Sequence, residues 1–119
     1  MVYTPFTNEK IINFSDSTSS ASDQDVLITT VTRDSIVYVQ RASQSTTGGS
    51  TQGDVYLNGV KNGADLVIAT DFITASGDDF YGFQAYSCPS GTEVRALYNR
   101  GVAGGTATIE VELVIAERN

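Results

Sequence analysis

Few side chains in this chain could do chemistry, and the missing types narrow the options as much as those present. Among 119 residues there is no histidine, no tryptophan and one cysteine. Without histidine the commonest general base is lost, and with it every Ser-His-Asp and Cys-His mechanism. Cys88 stands in Ser87-Cys88-Pro89-Ser90-Gly91, and the nearest basic residue in sequence is Arg95. A reactive thiolate needs a histidine, a lysine or a helix N-terminus beside it, so Cys88 reads as a small apolar residue next to a turn. One cysteine makes neither an intrachain disulfide nor a thiolate metal cluster. Asp78-Asp79 could offer oxygens to calcium, but no Asp-x-Asp-x-Asp-Gly loop surrounds the pair, and a solvated turn is expected. Asp65 and Asp71 share one strand pattern and would lie about 20 Å apart at 3.3 Å per residue, too far to flank one glycosidic bond. Gly101-Val102-Ala103-Gly104-Gly105 leads into a strand-like segment rather than a helix, so it reads as a turn and not a phosphate cradle. No catalytic residue, metal ligand or cofactor site is assigned.

Two groups could bind a partner rather than transform one. The aromatic residues Phe80, Tyr81, Phe83, Tyr86, Tyr56 and Tyr98 could stack on sugar rings, with Tyr81 and Tyr98 as the candidate stacking residues. Residues 1–8 form an N-terminal arm whose Val2, Tyr3, Pro5 and Phe6 cost free energy if left in water. These four are the candidate partner-binding residues, seated either on their own domain or on a neighbour.

Charge limits the partners. The net charge is −7, and the basic residues Lys10, Arg33, Arg41, Lys61, Arg95, Arg100 and Arg118 are scattered along the chain. Nucleic acid and anionic lipid both call for a basic patch, so neither is an expected partner. The acidic surface serves solubility, or docking on a positive protein surface. No apolar run approaches the roughly 18–20 residues of a membrane helix. Met1–Lys10 lacks the basic and apolar regions of a secretory signal, so synthesis in the cytoplasm is expected.

The elements that must position these groups are strands. Thr, Val, Ile, Tyr and Phe are abundant and leucine is scarce, a composition that favours sheet over helix. In Gly105–Ala116, Ala107, Ile109, Val111, Leu113 and Ile115 alternate with Thr106, Thr108, Glu110 and Glu112 until Val114 and Ala116 make the outward face apolar too. A second layer or a neighbouring subunit is expected to cover that end. Thr92–Tyr98 alternates in the same way. Further strands are expected at Glu9–Ser15, Asp25–Thr32, Ser35–Ala42, Asp54–Val60, Ala64–Thr74 and Phe80–Ser87. Asn58-Gly59 favours a type I′ hairpin turn, and Asn62-Gly63 is a second turn signal. The polar runs Ser15–Ser22 and Ser43–Gly53 read as loops, the latter open to insertions. The expectation is one all-β domain over residues 9–119: a two-sheet antiparallel sandwich of about eight strands, with jelly-roll or related Greek-key topology.

The closing segments Ser90-Gly91-Thr92-Glu93-Val94-Arg95-Ala96-Leu97-Tyr98 and Gly104-Gly105-Thr106-Ala107-Thr108-Ile109-Glu110-Val111, set in an acidic Ser/Thr/Gly-rich chain, resemble the final hairpin of small β-sandwich proteins of tailed-phage virions. Capsid decoration (cement) proteins and head fibres are the nearest comparison. The resemblance implies a non-enzymatic protein on the capsid surface, with the major capsid protein and itself, as a homotrimer, for partners. It also admits a carbohydrate-binding or receptor-binding β-sandwich module of a phage tail.

Overall fold

The computed structural model describes residues 8–20, 22–46, 51–61, 63–73, 78–80, 84–98 and 105–118. Nine strands run through them: β1 (Asn8–Thr18), β2 (Gln24–Thr30), β3 (Ser35–Thr46), β4 (Thr51–Lys61), β5 (Ala64–Ile73), β6 (Asp78–Phe80), β7 (Tyr86–Cys88), β8 (Glu93–Tyr98) and β9 (Ala107–Glu117). One sheet has the order β1-β9-β3-β6, with β7 also on β3; the other has the order β2-β8-β4-β5. All pairings are antiparallel. β6 pairs Ala42–Gln44 and β7 pairs Ser35–Val37 on the same side of β3, so the two are halves of one interrupted edge strand. Counted that way, there are eight strands in two sheets of four. The chain alternates between sheets in the manner of two interleaved Greek keys, which makes the sandwich a jelly roll.

The core is built from the alternation. Ala107, Ile109, Val111, Leu113 and Ile115 of β9 and Val94, Ala96 and Tyr98 of β8 all face inward and are buried. They meet Val37, Val39 and Ala42 of β3, Val55 and Leu57 of β4 and Ile68 of β5. A register shift between Val39 and Arg41 in β3 is a bulge. It changes the phase of the strand, so that Ala42 and not Arg41 follows Val39 into the core. A shift between Val55 and Tyr56 lets both Ile68 and Ala69 of β5 be buried.

Several expected loops are strand. β1 runs on to Thr18, where the Ser17 hydroxyl hydrogen-bonds that of Thr108 at 2.8 Å. β3 and β4 absorb most of Ser43–Gly53 and leave only residues 47–50 between them. Hydroxyl and amide side chains on the outer sheet face resemble a loop in sequence, yet they satisfy themselves across strands or in water. The expected turn at Asn58-Gly59 is instead a bulge inside β4. Gly59 has φ of 71° and its N–H bonds Asp65 Oδ1 at 3.0 Å, and pairing resumes at Lys61 with Ala64. The chain reverses between Lys61 and Ala64, where Gly63 of the second signal has φ of 84°; Asn62 lies outside the described residues. Phe80–Ser87, expected as one strand, is the interrupted edge of β6 and β7.

Candidate functional site

Alternation and register together define what the outer face of the β1-β9-β3 sheet presents. Rows cross it as Glu9–Ala116–Ile36, Ile11–Val114–Tyr38, Asn13–Glu112–Arg41, Ser15–Glu110–Ser43 and Ser17–Thr108–Ser45. The first two rows are apolar apart from Glu9, and the remainder are polar. Ile11 is 59% exposed, whereas Val114 between it and Tyr38 is buried. Val114 is the outward apolar residue noted in the sequence, and its own taller neighbours cover it. Around the β3 bulge the polar rows enclose a shallow depression of about 320 Å³, lined by Asn13, Ser15, Arg41, Ser43, Glu110 and Glu112 among others. At the end where β1 begins, Lys10 pairs with the buried Glu117.

The outer face of the other sheet carries a hydrogen-bonded brace. The Tyr56 hydroxyl on β4 donates to Asp25 on β2, 2.8 and 2.7 Å from its two oxygens. Arg95 on β8, between those strands, donates from Nε to Asp25 Oδ1 at 2.9 Å and from a terminal nitrogen to Glu93 Oε1 at 3.2 Å. Asn58 adds a 3.4 Å bond to the same Glu93 oxygen. Burial raises the Asp25 carboxyl, but the Tyr56 and Arg95 hydrogen bonds and the Arg95 charge outweigh it and hold the group below its ordinary value. Burial and the carboxylate push the Tyr56 hydroxyl up to about 12. A phenol so far from neutrality is a poor proton-transfer group, and the arrangement ties three strands together. Leu27 and Val67 stand exposed at the two ends of the same row.

Tyr98, a candidate stacking residue, is placed otherwise. It is 1% exposed, faces the core from β8, and donates its hydroxyl to Asp16 of β1 in the opposite sheet. Its parity with Val94 and Ala96 sends the ring inward, so it presents no face to a sugar. Burial and the Asp16 carboxylate raise its ionisation. Tyr81, the other stacking candidate, lies outside the described residues, as do the arm residues Val2, Tyr3, Pro5 and Phe6. Cys88 is buried, and burial pushes its thiol up to about 11, which suits packing rather than reaction. Asp65 is engaged with the Gly59 bulge, and among the described residues no three carboxylates or cysteines converge as a metal site would require. The brace and the depression were invisible in the sequence, because their members come from strands far apart in the chain.

No protein-family model matches the sequence, and no curated protein is significantly similar to it. Solved structures are similar in fold. A chain in the cyanophage Pam1 capsid asymmetric unit matches 97% of this chain and 89% of its own length, with a TM-score of 0.52 at 8% identity. A chain of infectious bursal disease virus, Gx strain, matches over 93% of this chain and 38% of its own, with a TM-score of 0.49 at 12% identity. The CBM22-1-GH10 modules of a Clostridium thermocellum xylanase match over 92% of this chain and 26% of their own, with a TM-score of 0.42 at 12% identity. The cyanophage chain therefore has the same sandwich fold along nearly its whole length.

Proposed function

We propose that this chain is a non-enzymatic structural virion protein, a capsid decoration (cement) protein that binds the outer surface of a phage head and stabilises contacts between capsomers. The observation that carries the reading is the end-to-end match, in both directions, with a whole chain from a cyanophage capsid unit. A second support is internal: Tyr56, Asp25 and Arg95 are spent on bracing strands, and Cys88 and Tyr98 on the core. In this reading the partners are the major capsid protein and further copies of the chain, as a homotrimer. A decoration protein adds stability by linkage, binding the assembled shell better than its free subunits. Modest contacts repeated by symmetry suffice.

The deciding experiment incubates the full chain with purified empty shells and measures co-sedimentation and shell rupture temperature. Saturable binding with a raised rupture temperature is expected. A chain that ignores shells at micromolar concentration would remove the reading. The depression lined by Asn13, Ser15, Arg41, Glu110 and Glu112 favours a second one, a carbohydrate- or receptor-binding tail module, since amide, hydroxyl and carboxylate groups suit a polyhydroxylated ligand. A glycan array with a Glu112→Ala control separates the two.

A further inference from the structure

We propose that β1 is a self-association edge: it pairs antiparallel with β1 of a second copy about a two-fold axis at Asn13, joining two sheets into one. The contact does not depend on the capsid reading, and being two-fold it is separate from the trimer proposed there.

Among the described edges, β1 alone is long and regular. The sheets end in β1 and the interrupted line of β6 and β7, and in β2 and β5. Open edges template further strands, and proteins blunt them by shortness, interruption or bulges. β6 and β7 have three residues each. β2 has seven, and its pairing with β8 skips Ile28. β5 is bulged at Ile68, which its pairing with β4 skips. β1 runs eleven residues in unbroken register with β9 and contains neither proline nor glycine.

The sequence of β1 is also complementary to itself, in one register. A two-fold axis normal to the joined sheet keeps both inner faces on the same side. Residues of like parity then face one another, and the axis falls at a residue. Full overlap of Asn8–Thr18 with its copy puts the axis at Asn13. Lys10 then stands opposite Asp16 of the other copy, twice over, and Ile12 opposite Phe14. On the outer face Ile11 meets Ser15 and Glu9 meets Ser17. Moving the axis one residue destroys the match: at Ile12 it sets Lys10 against Phe14, and at Phe14 it sets Asp16 against Ile12.

The side chains at this edge have capacity for such a neighbour. Ile12 and Phe14 are only partly buried against the core, and Ile11 is 59% exposed. Lys10 keeps its side chain half exposed while it pairs with Glu117. Asp16 accepts from the Tyr98 hydroxyl, and a carboxylate has room for a second donor. Inward charges at an edge deter a foreign strand. Set against each other, Lys10 and Asp16 attract, so the edge rejects other strands and accepts its own copy. Two copies use up both β1 edges, and association through them stops at a pair.

The test is sedimentation velocity on the full chain, on Lys10→Asp, on Asp16→Lys and on a mixture of the two variants. The wild type should associate in pairs. Each variant alone sets like charges opposite one another twice and should weaken pairing by about tenfold or more. The mixture restores both opposite-charge contacts and should form heterodimers. Because each charge change also removes an internal contact, a second measurement keeps both residues. Asn13→Cys brings its two thiols together across the axis, with Cα atoms about 4.5–5.5 Å apart, and should cross-link to itself under mild oxidation; the native Cys88 is buried. In Ile11→Cys the two Cα atoms lie about 13 Å apart along the strands, too far for a disulfide, so it should cross-link only when mixed with Ser15→Cys. A wild type that does not pair at millimolar concentration, pairing untouched in both charge variants, or Ile11→Cys cross-linking to itself as readily as Asn13→Cys overturns the proposal. Shells take no part in these measurements, so the cement reading is decided apart from them.

Discussion

Gly53→Ala tests how tightly the two sheets close on one another. Gly53 is a buried residue of β4, and the fully buried side chain of Gln44 reaches it from β3 in the facing sheet. An added methyl would stand 3.2 Å from Gln44 Cδ and 3.6 Å from Ile109 Cδ1, and far inside contact distance of Gln44 Oε1. Gln44 is flexible, but it is enclosed, so it cannot swing away without displacing the core. Such overpacking costs about 1–3 kcal/mol. Alanine restricts the unfolded chain more than glycine does, which returns about 0.4–1 kcal/mol. The net expectation is a loss of about 1–2 kcal/mol, or a thermal midpoint lowered by about 4–8 °C. Urea unfolding gives the first figure and calorimetry the second. Combining the change with Gln44→Ala removes the obstruction, so the pair should be less damaging than the sum of the singles by about 1 kcal/mol. A Gly53→Ala protein as stable as the wild type, or strict additivity in the pair, would refute the reasoning.

Other expectations concern the brace, the cross-sheet tyrosine and the turns. Asp25 is held below its ordinary value, so its contribution is present above about pH 3.9 and fades as pH falls further. In Asp25→Asn, urea midpoints should depend less on pH along that acid limb. Tyr56 is raised to about 12, so its contribution is intact below about pH 10 and lost as pH climbs toward 12; Tyr56→Phe should flatten this alkaline loss. Tyr98→Phe removes the donor to Asp16 and should cost about 1–3 kcal/mol by denaturant titration. Gly59→Ala meets no neighbouring atom but keeps a φ of 71°, so backbone strain alone should cost about 1–2 kcal/mol, again read by denaturant. Insertions between residues 47 and 50 should leave the thermal midpoint nearly unchanged, whereas insertions at Gln44 or Gly53 should lower it sharply, because those two residues are core.

Much of the fold was legible from particular residues. The strict alternation of Ala107 through Ile115 specified both a strand and its buried face, since a one-residue slip would expose all five apolar side chains. Two-sheet architecture followed from strand number and spacing. Misread segments share one cause. Ser15, Ser17, Ser43 and Ser45 extend β1 and β3 on the outer face of their sheet, and serine there imitates a loop. Asn58-Gly59 carries the same chemistry as Asn62-Gly63, and local sequence does not say which positive-φ glycine turns the chain and which one bulges it. The surface features were out of reach for a different reason. Asp25, Tyr56 and Arg95 meet only once β2, β8 and β4 lie side by side, and the apolar row of Ile11, Val114 and Tyr38 needs β1, β9 and β3. Tyr98 was read as a platform from its ring chemistry, although its parity with Val94 and Ala96, opposite Glu93 and Arg95, already places it on the buried face.

The place of β9 has a consequence for how the protein is made. β9, the last of the described strands along the chain, is the one that sits between β1 and β3. Until the ribosome has released it, two of the longest strands have no partner between them, and their pairing surface stays open to water and to other nascent chains. Closure of this sheet must therefore wait for β9, and a chain cut short before it leaves β1 and one edge of β3 without their shared partner rather than a smaller sandwich. The same delay has a protective side. The apolar row of Ile11, Val114 and Tyr38 is assembled only when β9 arrives, so that patch is presented only by a closed sheet.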